Sequence, residues 1–154
     1  MAEFTHMKGD GVRMVDISGK GEVAREASAE GRIRLRGETL RAIREGTVIK
    51  GNVLATARVA AILAVKETPR IIPLCHPIPL SGIEVDFADG AGFIRATVRV
   101  RSRGPTGVEM EALTGVSVAL LTIWDMVKSA EKDEAGQYPE TGIEGIRVIS
   151  KKKG

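Results

Sequence analysis

The sequence predicts an α+β fold in which helices pack on one face of an antiparallel sheet. Three observations predict it. A strand-like alternation spans residues 23–35, two apolar stretches flank the turn sequence Asp89-Gly90-Ala91-Gly92, and a long apolar helical segment over residues 111–130 precedes a last strand. The resulting order, β-α-α-β-β-α-β, is ferredoxin-like, and 154 residues are enough for one domain with a substantial core.

The first predicted elements are a strand and a short helix. From Val23 to Leu35 the odd positions are apolar or small and the even positions are almost all polar, as in a strand with one buried face. Arg25 is the exception, because its guanidinium falls on the apolar side and cannot lose its proton. We therefore expect Arg25 to contact a carboxylate or a phosphate. A short helix is predicted over Glu38–Glu45, ended by Gly46.

A second helix is predicted to begin after Asn52, whose side chain can cap its N-terminus. We expect this helix to run to about Lys66, since Thr68-Pro69 disfavours its continuation. The segment is apolar nearly all round and rich in alanine. We therefore expect other parts of the protein to cover it on most sides.

The second half of the chain predicts a hairpin, a long helix and a last strand. Three prolines favour an extended segment over Ile71–Pro79, and Ile83–Phe87 and Phe93–Arg101 form the predicted hairpin. The long helix spans Glu111–Ala130, a polar irregular segment follows, and Ile143–Ser150 is the last strand. The outward side chains of the hairpin are expected to form cross-strand ion pairs without a catalytic role: Glu84, Asp86, Arg95, Arg99 and Arg101.

Composition and charge narrow the class of protein. The net charge of +3 is modest, and the basic residues are not interleaved with aromatics as on a nucleic-acid-binding surface. One cysteine excludes an internal disulfide framework, and the longest apolar run, Val116–Trp124, is far shorter than the roughly 20 residues that cross a bilayer. We expect a cytoplasmic protein without nucleic-acid or membrane partners. Its leader, residues 1–12, is expected to be disordered, and residues 13–154 to form a single catalytic domain.

The charges at the two ends of the long helix are the main candidates for chemistry. Asp125 and Lys128 share a helix face, either as an ordinary surface ion pair or as an acid/base pair in which Lys128 loses its proton near neutral pH. Glu109 and Glu111 either interact with the N-terminus of the helix or line a site. Two residues apart, they would point in nearly opposite directions on a helix. Either only one enters a site, or the helix begins after them.

The spacing along this helix bears on the number of subunits in a site. Glu111 and Asp125 are fourteen residues apart, which corresponds to about 21 Å along a helix and roughly 40° around it. One small substrate cannot contact both side chains within one subunit. If both serve one site, two subunits must supply them.

Further candidates could bind an anion or move a proton. Lys50-Gly51-Asn52 precedes a helix N-terminus, where a lysine and backbone N–H groups could hold a phosphate, although this is not a P-loop. In Leu74-Cys75-His76-Pro77, His76 is either a hydrogen-bonded structural residue or a proton carrier and phosphate donor, and Cys75 is expected to be packed rather than nucleophilic. One histidine and one cysteine are too few for a zinc site, so no metal site is predicted.

Five motifs of this chain closely resemble those of the MoaC family. They are Met14-Val15-Asp16-Ile17-Ser18, Lys50-Gly51-Asn52-Val53-Leu54-Ala55-Thr56-Ala57-Arg58, Ile72-Pro73-Leu74-Cys75-His76-Pro77, Gly107-Val108-Glu109-Met110-Glu111-Ala112-Leu113-Thr114 and Thr122-Ile123-Trp124-Asp125-Met126-Val127-Lys128. They occur in the family's order from about Met14 to Lys151. The chain departs from the usual pattern at Asn52, where the family usually has aspartate, at Trp124, where it usually has tyrosine, and in its Lys151-Lys152-Lys153-Gly154 tail.

The resemblance implies a reaction and an assembly. MoaC proteins are cyclic pyranopterin monophosphate synthases of molybdenum-cofactor (molybdopterin) biosynthesis. They act after a radical S-adenosylmethionine enzyme, convert 3′,8-cyclo-7,8-dihydro-GTP to cyclic pyranopterin monophosphate and release pyrophosphate. The resemblance also implies a homo-hexamer, a trimer of dimers with its sites at subunit interfaces. No metal or organic cofactor is implied, although magnesium could accompany the triphosphate.

The same resemblance assigns roles to residues of this chain. The catalytic residues it implies are Lys50, Asp125 and Lys128, with Asp125 as the acid/base partner of the two lysines. The substrate-binding residues it implies are Arg25, Cys75, His76, Pro77, Glu109, Met110, Glu111 and Lys151. Arg25 and Lys151 are expected to contact the triphosphate. No role is implied for Lys152 or Lys153.

A non-enzymatic nucleotide- or RNA-binding α+β module is the alternative interpretation. Exposed aromatic side chains on the central strands would favour it, because single-stranded bases stack on such residues. Phe93 stands at the start of one strand, while the alternation turns Phe87 inward. The sequence therefore favours the enzyme.

Overall fold

The computed structural model describes residues 7–9 and 11–154 and shows the predicted α+β architecture. Its elements are β1 (Met7–Lys8), β2 (Gly11–Val12), β3 (Val23–Arg34), α1 (Gly37–Glu45), α2 (Val53–Ile71), β4 (Leu80–Gly90), β5 (Phe93–Gly104), α3 (Glu109–Glu131) and β6 (Gly142–Lys153). From β3 onward, the predicted order is confirmed. The ends of β4, β5 and β6 extend beyond the predicted strands by several residues.

The main sheet has the strand order β4-β5-β3-β6, and each neighbouring pair is antiparallel. The alternation predicted for β3 is confirmed, since Ala27, Ala29 and Ile33 are fully buried under the helices. The opposite face of the sheet is charged. Glu84 pairs there with Arg99 and Arg101, as expected, whereas Asp86 has no ion-pair partner among the described residues. Other pairs reach across to β3, because Glu26 lies directly opposite Arg101 in the β3–β5 register.

Small residues allow α2 and α3 to pack closely over the sheet. Ala57 and Ala61 of α2 and Ala112 and Ala119 of α3 are fully buried. A Cβ placed on Gly115 would lie 2.7 Å from Val65 Cγ2 and 3.1 Å from Val98 Cγ1. The absence of a side chain at position 115 therefore sets the distance between the two helices and the sheet.

Two predictions for α2 are wrong. The Asn52 cap forms as expected, with its Oδ1 accepting from the N–H of Ala55 at 3.0 Å, but the helix continues through Pro69 to Ile71. Only the final turn has to tolerate the missing proline N–H, and the buried Thr68 packs there and donates its hydroxyl to the Ala64 carbonyl at 3.0 Å. The helix is also less covered than expected, because Val59 and Leu63 are more than half exposed.

The start of the chain contains a short pair of strands. Residues 7–8 pair with residues 11–12 in antiparallel register. These four residues fall in the range predicted to be a disordered leader, and the structure pairs them instead. Residues 1–6 and 10 of that range lie outside the described residues.

α3 is the central helix of the fold. Its length and composition would allow it to cross a membrane, and among the described helices it is the one that meets this test. However, Val116, Ala119, Leu120 and Ile123 are fully buried, and the helix packs against α2, β3 and β5. These contacts are those of a core helix.

A buried carboxylate at the end of α3 fixes the short helix α1. Glu131 is fully buried, and its two oxygens accept from the Arg36 N–H at 3.3 and 3.2 Å. They also accept from the hydroxyl of Thr39, and from that of Thr141 at 2.8 Å. The position before α1, Arg36, has no side-chain cap of its own, so Glu131 takes that role from another helix. Glu131 falls at the start of the segment predicted to be irregular, so that boundary is wrong.

Candidate active site

A cavity of about 390 Å³ opens at the N-terminus of α3. It lies between the first turn of that helix, the extended segment after α2 and the segment before β3. Its size falls in the range of small-molecule sites. Its lining residues are Val15, Ile17, Lys20, Leu74, Cys75, His76, Ile78, Thr106, Gly107, Glu109, Met110 and Glu111. The structure therefore brings together five of the predicted substrate-binding residues.

Both glutamates of the first turn of α3 reach this cavity. The sequence predicted that only one would enter a site if both belonged to the helix, and the structure differs from that prediction. α3 begins at Glu109, and both Glu109 and Glu111 line the cavity. Glu111 points inward and is 3% exposed. The Glu109 carboxylate instead folds back against Gly107 and pairs with Lys151 Nζ at 2.9 Å. A first-turn side chain can fold back in this way because no earlier turn blocks it.

Burial alters the acidity of two groups in the cavity. It raises the pKa of the Glu111 carboxyl above its ordinary value, and the nearby charge of Glu109 raises it further. Burial, followed by the charges of Glu111 and Glu109, also raises the pKa of the Cys75 thiol. Cys75 therefore stays protonated, which agrees with a packed rather than nucleophilic cysteine. Glu111 is more easily protonated than an ordinary glutamate.

The extended segment after α2 carries His76 into the cavity. A turn in which the Cys75 N–H donates to the Ile72 carbonyl at 3.1 Å starts this segment. His76 is half-buried. Hydrogen bonds from Ser18 lower the pKa of the nearby Asp16 carboxyl, and the charge of His76 adds a smaller effect in the same direction. Pro77, also predicted to bind substrate, is exposed and is not among the residues that line the cavity.

A second cavity of about 440 Å³ adjoins the first and is lined by cations. The two share Lys20, Thr106, Gly107 and Glu109. The lining residues that only the second cavity has are Gly21, Val23, Arg25, Pro105, Lys151 and Lys153. The predicted triphosphate contacts, Arg25 and Lys151, thus lie next to the cavity that holds His76 and Glu111.

Among the described residues, Arg25 contacts main-chain carbonyls rather than a carboxylate, and the expected phosphate contact stays a prediction. Its Nε donates to the Gly104 carbonyl at 3.4 Å and its Nη2 to the Pro105 carbonyl at 3.2 Å. Two carbonyls partly satisfy the guanidinium without neutralising its charge. Arg25 therefore presents a positive charge at the wall of the second cavity.

The lysine–aspartate cluster, made of Lys50, Asp125 and Lys128, forms a separate centre. Lys50 Nζ donates to the main-chain oxygen of Asp125 at 2.9 Å and lies 3.2 Å from its Oδ2. Lys128 Nζ lies 3.0 Å from Asp125 Oδ1. One carboxylate thus holds two ammonium groups. The turn before α2 positions Lys50, and the last turns of α3 position the other two residues. All three side chains are largely exposed in the isolated chain.

The electrostatics of this cluster bear on the two interpretations of the Asp125–Lys128 pair. Hydrogen bonds from Lys128 and then Lys50 lower the pKa of the Asp125 carboxyl. The Asp125 hydrogen bond and charge raise the pKa of Lys128. In the isolated chain this favours the ion-pair interpretation over the one in which Lys128 loses its proton near neutral pH, because the paired carboxylate favours the ammonium form. Lys128 is a cation and a proton donor here.

The two centres lie at opposite ends of α3. Glu111 lines the first cavity and Asp125 belongs to the cluster, and fourteen residues of unbroken helix separate them by about 21 Å. The structure thus gathers the predicted residues into two groups. One chain does not bring both groups to one small molecule.

Lys20 lines both cavities but was not among the site residues predicted from the sequence. Its main-chain N–H donates to the Ile17 carbonyl at 3.0 Å, in a turn that directs the chain over the cavities. The position of Lys20 just after the Met14–Ser18 motif was the available signal.

Within residues 7–9 and 11–154, no group of three histidine, cysteine or acidic side chains could hold a metal ion.

Known proteins resemble this chain along its whole length. The model of the MoaC family matches residues 14–154. Proteins named "Probable cyclic pyranopterin monophosphate synthase" align along the full length. The one from Methanoregula boonei is 72% identical over 154 residues, covering 100% of this chain and 99% of the relative. That from Methanosphaerula palustris is 71% identical and covers 100% of both. That from Pyrococcus abyssi is 61% identical over 153 residues, covering 99% of this chain and 96% of the relative. The chain belongs to the MoaC family.

Proposed function

We propose that this protein is a cyclic pyranopterin monophosphate synthase that acts in the cytoplasm, in molybdenum-cofactor biosynthesis. It converts 3′,8-cyclo-7,8-dihydro-GTP to cyclic pyranopterin monophosphate and releases pyrophosphate. Membership of the MoaC family supports this function. The observation that carries it in the structure is the continuity of two cavities, one with protonatable side chains and one with cations, joined at Lys20 and Glu109.

The cationic cavity suits the triphosphate of the substrate. Arg25, Lys20 and Lys151 line it, and Lys151 is already held in place by Glu109. Positive groups that are fixed before the reaction stabilise the charge that develops on departing pyrophosphate. In this proposal these side chains bind the triphosphate and assist its cleavage. Any magnesium ion would enter the site bound to the triphosphate.

The first cavity suits the rearranging ring system. Opening a purine ring and closing a pterin requires several proton transfers and no net redox change. Glu111 can hold a proton closer to neutral pH than an ordinary glutamate, because burial raises its pKa. His76, in the same cavity, is a second group that can donate or accept a proton.

The lysine–aspartate cluster completes the proposed site from a neighbouring subunit. Its Lys128 ammonium is a proton donor, and its Lys50 ammonium is a second cation held by Asp125. The separation of the two centres along α3 supports a site at a subunit interface. Exposed apolar side chains support association as well: Ile49, next to Lys50, is 100% exposed, and Val59, Leu63 and Leu121 are more than half exposed. The proposed assembly is a hexamer, a trimer of dimers.

Incubation of the purified protein with 3′,8-cyclo-7,8-dihydro-GTP tests the function. We expect one pyrophosphate for each pyranopterin formed. Lys50→Ala and Lys128→Ala should each lower turnover by at least about 100-fold without unfolding the protein, since both side chains lie outside the core. Lys132→Ala, an exposed lysine one turn beyond Lys128, is the matched control and should retain turnover. The role of either lysine is refuted if its alanine variant turns over at the normal rate.

The alternative of a nucleotide- or RNA-binding module finds little support in the sheet. Phe87 and Phe93 are partly buried, and Phe93 lies between the guanidiniums of Arg32 and Arg95, 5.0 and 5.4 Å from its ring centroid. A stacking platform needs open ring faces, and guanidinium groups already lie over the Phe93 ring. Binding of single-stranded RNA without any pyrophosphate release in the assay would nevertheless favour the module over the enzyme.

A further inference from the structure

An aromatic side chain from the segment after α3 lies beside the lysine–aspartate cluster. The ring of Tyr138 packs edge-to-face on the ring of Trp124, with centroids 5.2 Å apart and an interplanar angle of 69°. Trp124 directly precedes Asp125 on α3. Tyr138 is also near enough to Lys128 to contribute to that residue's raised pKa, after the larger effects of Asp125. Tyr138 lies outside every motif that carries the family resemblance.

The backbone before Tyr138 is held by its own hydrogen bonds. Asp133 Oδ1 accepts from the N–H groups of Ala135 and Gln137, both at 2.9 Å, and the Asp133 N–H donates to the Gln137 carbonyl at 2.9 Å. Gly136 adopts a φ of +76°, which an L side chain would disfavour. This closed loop fixes the direction in which the chain enters position 138.

We infer that Tyr138 is a positioning residue of the lysine–aspartate cluster. Its ring, held by Trp124 and by the loop over residues 133–137, restricts the flexible side chain of Lys128 to orientations in which the ammonium stays against Asp125. Lysine has a long stem with many rotamers, so a fixed wall beside it reduces the reorganisation needed when substrate binds. This inference rests on the proposed function for its catalytic consequence, but not for the observed packing of Tyr138 on Trp124, which lies one helical turn before Lys128.

The experiment compares Tyr138→Ala, Tyr138→Phe and the matched loop control Gln137→Ala, whose side chain is exposed. We expect Tyr138→Ala to lower kcat by roughly 10- to 100-fold with a much smaller change in KM, because misplacement of a reacting group mainly affects turnover. Tyr138→Phe keeps the ring and should stay within about threefold of the wild type, as should Gln137→Ala. Wild-type kcat in Tyr138→Ala, or an equal loss in Tyr138→Phe, overturns the inference.

Two readouts do not depend on turnover. The chain has a single tryptophan, so the emission of Trp124 should change in Tyr138→Ala and much less in Tyr138→Phe. The titration of the Lys128 side chain, followed by NMR of labelled lysines, should move to lower pH in Tyr138→Ala and much less in Tyr138→Phe, which keeps the ring; an equal shift in both variants would show only the loss of the phenol charge and overturn the inference. If Tyr138→Ala fails to fold, Tyr138→Leu takes its place. An unchanged Lys128 titration refutes the positioning role even if the wild type releases no pyrophosphate, whereas a shifted titration without pyrophosphate release refutes only the proposed function.

Discussion

Replacing Glu131 by alanine tests the contact that joins α1 to α3. The substitution leaves three donors without their acceptor: the main-chain N–H of Arg36 and the hydroxyls of Thr39 and Thr141. A buried donor without a partner costs about 1–3 kcal/mol, and the hydroxyls can rotate toward other acceptors. We therefore expect Glu131→Ala to lower the free energy of unfolding by about 3–5 kcal/mol. Glu131→Gln keeps the shape and one carbonyl oxygen and should cost about 1–2 kcal/mol.

Denaturant unfolding, followed by Trp124 fluorescence and far-UV circular dichroism, measures this difference. Stability of an oligomer depends on protein concentration, so all variants are compared at the same concentration. The control is Glu134→Ala, an exposed glutamate three residues later, which should change the unfolding free energy by less than about 0.5 kcal/mol. A loss below about 1 kcal/mol in Glu131→Ala would show that the buried carboxylate does not hold α1.

Three further predictions concern the helix contact and the cavity. Gly115→Ala should lower the free energy of unfolding by about 1–3 kcal/mol, because its methyl group would overlap Val65. Gly37→Ala, which has open space around it, should leave the free energy of unfolding unchanged, and chemical denaturation of both variants measures the difference. Gly107→Ala should displace the flexible Glu109 carboxylate and lower turnover about tenfold while the unfolding free energy changes by less than about 1 kcal/mol; retained turnover would contradict it. Burial raises the pKa of Glu111 in the folded state, so the free energy of unfolding should fall as pH rises from the pKa of the unfolded chain to that of the folded protein. Glu111→Gln should remove that fall, be more stable than the wild type at neutral pH and turn over more slowly. If the unfolding free energy of Glu111→Gln depends on pH as that of the wild type does, the buried acid is not its cause.

The sequence predicted the architecture well because the determining signals are local. The alternation of β3, the glycine that ends α1 and the turn between β4 and β5 each fix an element with few residues. The end of α2 was predicted wrongly because a local rule about Pro69 was outweighed by tertiary packing of the last turn. Similarly, Glu131 looked like part of a polar segment, since its partners lie more than 90 residues earlier at Arg36 and Thr39.

The site was predicted less evenly. Motif resemblance identified five residues of the first cavity and the three of the lysine–aspartate cluster, and the spacing along α3 predicted that the two groups lie far apart in one chain. What remained hidden depended on three-dimensional neighbours. The raised pKa of Lys128 follows from its distance to Asp125, and the partners of Arg25 are main-chain carbonyls, which no residue pattern reveals. Tyr138 was missed because it belongs to no motif and reaches the cluster only through the fold.

Complementation between two inactive variants tests the two-subunit site most directly. Glu111→Ala removes one half of the proposed site and Asp125→Ala removes the other. Random co-assembly of equal amounts should leave about a quarter of the sites intact, because each half of a site has about one chance in two of coming from a chain that retains it. We therefore predict about 25% of wild-type pyrophosphate release in purified mixed oligomers. Activity no greater than that of the separate variants, in oligomers shown to contain both chains, would contradict a site shared between subunits.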